Sequence, residues 1–331
     1  RAVDTTGKEL WNLSLDQSAA SIATAAAVDS VGDIWIAGAT PLALGLTPPS
    51  PAATPVNPDN ASVPPNSAAS KLQAVTLWKV TAAGVLSGTN TLPTSSVVLP
   101  TAISVDRNGA SIVGIMGTDK GSAGFFVNTD KTGLFGKLLQ IGLTSTTADA
   151  VVRHTDGSFT VAGSSSETLV GKKVAGVTDG VLIKISKALK ITSVVRSSAV
   201  KGKRIWNSAS GSLLLAGQVI VGNNIQTAVT KFSSTYVPTW TARFTSTGYA
   251  LVNSSNQLFF QSMGTITQLA WNAKTPTPLL LTFDSKGVIT AAHSAPPGQV
   301  ELMSLVDSKE LGVLALIWSL DSTSIFTPNP R

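Results

Sequence analysis

Short runs of Val, Ile, Leu, Ala and Phe, each broken by a turn carrying Asp or Asn together with Gly, repeat along the chain. One unit recurs six times: an apolar strand, a polar turn, and a second apolar strand that often ends in Ala-Gly. It reads ATAAAVDSVGDIWIAGAT from Ala23, TAISVDRNGASIVGIMGT from Thr101, ADAVVRHTDGSFTVAGSS from Ala148, KRIWNSASGSLLLAGQ from Lys203, GYALVNSSNQLFFQSMG from Gly248 and VELMSLVDSKELGVLALI from Val300. The turn falls at Gly32, Gly109, Gly157, Gly211, Asn256 and Glu310, with spacings of 77, 48, 54, 45 and 54 residues. A second apolar pair follows five of the copies, for example AVTLWKVTAAGVLSGTNTL from Ala74 and PLLLTFDSKGVITAAH from Pro278. Val, Ile, Thr and Phe favour pleated, half-buried surfaces, whereas Gly and Asn supply the backbone freedom that tight turns need. No segment carries a convincing 3.6-residue amphipathic period.

Four strands per unit at a period of roughly 50 residues is the mark of a β-propeller, in which radial packing buries both faces of each sheet without helices. The pattern predicts one all-β domain over residues 1–331, a six-bladed β-propeller with four antiparallel strands per blade. Its N-terminal RAVDTTGKELWNLSL reads as the second half of a repeat, and the copy from Val300 lacks one. The strand around residues 9–15 is therefore expected to join the sheet begun at Val300, closing the ring with both termini in one blade and removing exposed edges.

The alternation of VDxxGxxxxAG-like and VxKxxxxG-like halves resembles the bacterial β-propeller repeats of the SBBP type. It departs from them at Asn256 and Glu310, which replace the turn glycine. The resemblance implies an extracytoplasmic bacterial location, at the cell surface, in the periplasm or secreted, and a binding or structural role. It transfers no catalytic residues.

Composition narrows the chemistry. There is no cysteine, which excludes disulfide scaffolds, thiol enzymes and cysteine-based metal centres, and the two histidines form no HExxH motif. His154 and His293 read as turn or loop residues. Asp29, Asp106, Asp156, Asp284 and Asp307 recur at turns, where carboxylates cap backbone amides, and no run of alternating oxygen ligands marks a calcium loop. No metal and no cofactor is expected. The longest near-apolar stretch, 311–318, is far shorter than the roughly 20 residues of a membrane-spanning helix.

Three features remain for binding. The connections between second and third strands are the long ones, at 41–72, 164–179 and 265–277, and long loops on a rigid scaffold are where binding concentrates. The insertion from Pro41 holds eight of the 17 prolines, among them Pro48, Pro49, Pro64 and Pro65, and no aromatic residue. It reads either as a solvated tether or as an extended arm laid over the propeller face or on a neighbouring subunit or partner. In the 265–277 connection, Trp271 with Asn272 and Lys274 is the best single contact for a ligand or partner, whereas Trp35, Trp78, Trp206 and Trp318 read as strand residues packed between blades. Finally, Lys184, Lys187, Lys190, Arg196, Lys201, Lys203 and Arg204 form a segment without any acid that carries the whole net charge of +6. This basic edge either attracts an anionic polymer, an acidic partner surface or phosphate headgroups, or discourages edge-to-edge aggregation. It lacks interleaved stacking aromatics, so nucleic acid is not expected.

The sequence thus points to an exported, non-enzymatic module that binds a protein partner or an envelope polymer. The alternative is a propeller enzyme acting on a glycan or a lactone-like substrate at the central channel, which would require carboxylates of perturbed pKa converging there.

Overall fold

The computed structural model describes residues 1–4, 6–15, 21–42, 72–295, 301–308, 310–319 and 322–327. Two compact units divide it, Arg1–Ala148 and Asp149–Arg331.

In the first unit, β1 (Ala2–Val3) and β2 (Glu9–Trp11) form a small hairpin. A four-stranded meander follows, built from β3 (Ile22–Val28), β4 (Ile34–Pro41), β5 (Leu72–Val80) and β6 (Leu86–Pro93). The next meander contains β7 (Val98–Asp106), β8 (Gly109–Thr118), β9 (Gly121–Asn128) and β10 (Leu139–Ile141). Every pair is antiparallel. The middle strands are buried on both faces, which is why their sequences read as unbroken apolar runs rather than alternations. Trp35, Val75, Leu77, Val98, Ile112, Phe125 and Val127 share one core between the two meanders.

In the second unit, β11 (Thr146–Arg153), β12 (Phe159–Ser165), β13 (Asp179–Ile185) and β14 (Ile191–Ser197) form a further four-stranded sheet. The next sheet has seven strands: β15 (Lys203–Ala209), β16 (Leu214–Val221), β17 (Asn224–Phe232), β18 (Pro238–Val252), β19 (Gln257–Ile266), β20 (Trp271–Phe283) and β21 (Ile289–Ser294). It is two meanders sharing one long strand. Residues 238–245 of β18 pair with β17, and residues 246–252 pair with β19 after a register break before Ala250. The last described sheet is β22 (Glu301–Ser308), β23 (Gly312–Trp318) and β24 (Thr323–Phe326). The antiparallel four-strand grouping expected from the sequence is therefore present. The expected pairing of the 9–15 strand is not what the hydrogen bonds show: β2 pairs with β1, because the turn at Gly7 folds the segment back on itself.

One turn recurs throughout. Its first residue accepts an N–H from the fourth and donates its own to the fifth, and its side-chain oxygen commonly caps a following amide. Asp29, Thr81, Asp130, Ser186, Ser210, Ser233 and Asp284 all open such turns. The fourth residue takes positive φ, as at Gly32 (90°) and Gly84 (82°). This corrects one turn assignment: in the fourth repeat the left-handed residue is Leu213, with φ 58°, and not Gly211. The burial of the tryptophans also differs in one case, since Trp35, Trp78 and Trp206 are buried but Trp318, at the end of β23, is exposed. His154 opens a turn as expected, whereas His293 lies in β21.

Candidate binding surfaces

The connection from β12 to β13 is an ordered platform, and one buried ion pair holds it. Asp179 is fully buried at the start of β13 and accepts the backbone N–H groups of Ala175 and Gly176, each at 2.9 Å. Arg196, reaching across from β14, places Nη1 3.5 Å from Asp179 Oδ2. Three further guanidinium protons go to the loop itself: Nε donates to the Lys172 carbonyl at 3.1 Å, Nη1 to the Ser165 carbonyl at 3.3 Å, and Nη2 to the Glu167 carbonyl. Burial alone would raise the Asp179 carboxyl, but hydrogen bonds from Ser198, Ala175 and Gly176 and the Arg196 charge outweigh it and hold the group below its ordinary value. Gly176 lets the chain approach closely, since a Cβ there would sit 2.7 Å from the Ala199 carbonyl. The tip, turned by Val170 and Gly171 at positive φ, exposes Val170, Lys172, Lys173 and Val177.

Two of the seven basic-edge residues therefore do not present charge to solvent. Arg196 is consumed in the clamp. Arg204, on β15, is 4% exposed, stacks its guanidinium 3.6 Å from the centre of the Trp206 ring, and leaves Nη1 without a hydrogen-bond partner. Burial, and after it the charge of Arg243, pushes its pKa down. Lys187, Lys190, Lys201 and Lys203 are exposed and Lys184 is half-buried, so the edge is a set of lysines.

The 265–277 connection is shorter than its sequence suggested. Strands β19 and β20 continue past the sheet as a hairpin, pairing Gly264 with Ala273, Thr265 with Asn272 and Ile266 with Trp271 around a single 3-10 turn at Thr267–Leu269. Trp271 thus opens a strand. Its indole N–H donates to Ser262 Oγ at 3.0 Å, and its ring packs against the core that contains Phe244, Phe260 and Leu279. Asn272 and Lys274 alternate outward and are exposed. Of the insertion, Pro41 pairs with Leu72, so the segment leaves and re-enters the sheet at adjacent points. Pro48, Pro49, Pro64 and Pro65 lie outside the described residues.

Three residues of the first strands form a polar group that no motif announced. Asn207 on β15 donates through Nδ2 to the Ala250 carbonyl on β18, linking two first strands. The half-exposed Tyr249 has its phenol pushed up by burial and then by the charge of Asp149 on β11, against a hydrogen bond with Asn207. Asp149, Asn207 and Tyr249 occupy different offsets from their turns because bulges interrupt β15 and β18, so repeat alignment does not bring them together.

No family model and no curated protein matches the chain. Solved structures do. A catalytically inactive virginiamycin B lyase from Staphylococcus aureus, crystallised with quinupristin, aligns over 95% of this chain and 86% of its own, with a TM-score of 0.50 and 9% identity. A protein from Lactobacillus plantarum aligns over 93% and 83%, with a TM-score of 0.50 and 12% identity. The fold is that of a β-propeller. At these identities the likeness carries the architecture and not the activity. Among the described residues no cluster of three or more His, Asp or Glu side chains is placed to hold a metal, and no helix is long and apolar enough to cross a membrane.

Proposed function

We propose that this protein is an exported, non-enzymatic bacterial propeller of six blades that binds a protein partner or an envelope polymer through its second-to-third-strand connections. The SBBP-type resemblance of its repeats belongs to the same reading. The observation that carries it is the Asp179–Arg196 clamp. A buried ion pair and five hydrogen bonds to Asp179 or Arg196 hold a surface loop in one conformation. A rigid loop loses less conformational entropy when a partner docks on it. Among the described residues, the carboxylates with shifted pKa are all shifted down, chiefly by turn amides and hydroxyls, at Asp29 by the Trp35 indole N–H and at Asp179 also by Arg196, so they are ionised and engaged in structural hydrogen bonds. General-acid chemistry wants the opposite shift.

Closure by a composite blade is part of the proposal. Trp11 stands four residues after the left-handed Gly7, and Trp240 stands four residues after the left-handed Tyr236. This equivalence makes β2 the counterpart of the outer half of β18, the strand position left unfilled in the sheet β22–β24 among the described residues. The second reading, an enzyme acting on a glycan or lactone-like substrate at the channel, rests on Asp149, Asn207 and Tyr249.

The test is native mass spectrometry of the protein isolated gently from its source, beside a variant with residues 167–174 replaced by a Gly-Ser linker and another trimmed over 43–71. A stoichiometric partner lost in either variant supports the module. A monomer unaffected by both changes overturns it and turns attention to Asp149→Asn and Tyr249→Phe in hydrolase assays.

A further inference from the structure

At the turn-bearing end of the second unit, a cleft of about 410 Å³ opens between the turns that follow β11, β15 and β17. Its walls combine two kinds of surface. Leu213, Phe232 and Tyr236 supply an apolar side, while Asp156, Lys184 and the hydroxyls of Ser158, Ser212 and Ser234 supply a polar one. From the half-buried His154, which also lines the cleft, a chain of three groups runs inward: His154 Nε2 lies 2.7 Å from Thr160 Oγ1, and Thr160 Oγ1 lies 2.5 Å from Tyr236 Oη. Thr160 is fully buried, so this chain fixes the phenol that borders the cleft.

The backbone is strained to build these walls. Leu213 and Tyr236 occupy the left-handed position of the recurring turn, with φ of 58° and 62°, where the corresponding residues at Gly32, Gly84, Gly133, Gly157 and Gly287 are glycines. A bulky residue in that region is disfavoured and persists only where something else compensates. Both side chains are buried and both line the same cleft. A third such residue, Leu189, does not line it.

Charge identifies the class of occupant. Asp156 and Lys184 offset one another, and burial, in company with Lys184, lowers the His154 pKa enough to outweigh Asp156 and favour the neutral imidazole. The site favours neither anion nor cation. Its hydroxyls, one carboxylate and one ammonium offer donors and acceptors around a small apolar wall, which is the complement of a pyranose: a ring of O–H groups with an apolar C–H face. We propose that the His154–Tyr236 cleft binds a neutral sugar unit, as a site separate from the second-to-third-strand connections. It stands whether or not those connections dock a partner.

The experiment uses the purified full chain on an array of neutral microbial and plant oligosaccharides, with hits measured by titration calorimetry. Inorganic phosphate and glycine are the anionic and zwitterionic controls. Binding of at least one neutral oligosaccharide is expected. Ser234→Ala and Lys184→Met should each weaken it about tenfold or more, the loss of roughly one good hydrogen bond. Asp156→Asn keeps a turn-capping oxygen and serves as the variant that folds normally, with a similar loss. Absence of binding to the whole array, affinity unchanged in all three variants, or preference for phosphate or glycine overturns the proposal. The Gly-Ser variant at 167–174 should bind the sugar as the unaltered chain does, which separates this test from that of the connections.

Discussion

Trp11 covers Gly84. The indole Nε1 of Trp11 donates to the Ala82 carbonyl at 3.2 Å, and a Cβ built on Gly84 would lie 2.5 Å from the ring. Trp240 and Gly287 repeat the arrangement in the second unit, at 2.6 Å. Each glycine has positive φ, 82° at Gly84 and 84° at Gly287, so two independent constraints fall on one atom. Gly84→Ala therefore meets both a left-handed backbone, costing about 1–2 kcal/mol, and a clash costing about 1–3 kcal/mol. Urea unfolding should show Gly84→Ala and Gly287→Ala destabilised by comparable amounts, about 2 kcal/mol or more. A loss confined to Gly287→Ala would mean that the N-terminal hairpin contributes no stability.

The two arginines of the 184–204 segment should respond in opposite ways to the same change. Arg196→Met leaves Asp179 buried without its cation and three loop carbonyls without a donor, a loss of about 3–5 kcal/mol by analogy with broken buried pairs. Arg204→Met removes a buried charge whose Nη1 has no partner, and the thioether keeps the contact with Trp206. Its expected effect is neutral or stabilising, up to about 2 kcal/mol. Thermal melts of both variants at one pH decide the matter; equal losses would mean that the unpartnered Nη1 of Arg204 costs the fold nothing.

Acid should release the 165–179 platform before it unfolds the sheets. The Asp179 carboxyl has its folded pKa below the ordinary 3.8. A depressed carboxylate binds fewer protons folded than unfolded, so its contribution is fully present above about pH 4 and drains away as pH falls through the folded value. Hydrogen exchange at the amides of Ala175 and Gly176 should accelerate below that range relative to the amides of β12 and β13. In Asp179→Asn the same amides should exchange rapidly at all pH values.

Much of the architecture was legible in the residues, and the reason is local. Strand pairs announce themselves through β-branched runs, and the turns through Asp or Ser followed by Gly, because both signals act over a few residues. The shared strand β18 was legible only in part: PTWTARF and TGYALV each read as strands, but they run on through a register break at which Gly248 takes a φ of 127° close against the Gln218 side chain. The candidate surfaces were less visible. Trp271 looked like a loop residue because TITQLAWNAKTPTP is polar and proline-bearing, yet cross-strand pairing to Ile266 outweighed that composition. Arg196 and Arg204 looked like surface charge because sequence cannot show that Asp179 waits for one and that the other lies flat on Trp206. The cleft's Leu213 and Tyr236 were hidden for a related reason: turn logic predicts glycine at both positions, so a missing glycine was itself the signal.

That signal separates strain kept for a site from strain kept for nothing visible. Leu189 has φ 57° in the same turn position as Leu213 and Tyr236, but it does not line the cleft they share and is only partly buried. Asn tolerates the left-handed region because its short polar side chain bonds locally, so Leu189→Asn should relieve part of the strain and stabilise the protein by about 0.5–1 kcal/mol. Leu213→Asn places an amide in a site that is 7% exposed, beside Trp206 and Phe232, and should cost about 1–3 kcal/mol despite the same relief. Denaturant midpoints of the two variants, taken at equal m-value, give the comparison directly. If Leu213→Asn proved as stabilising as Leu189→Asn, the left-handed leucine would have no packing role at the cleft.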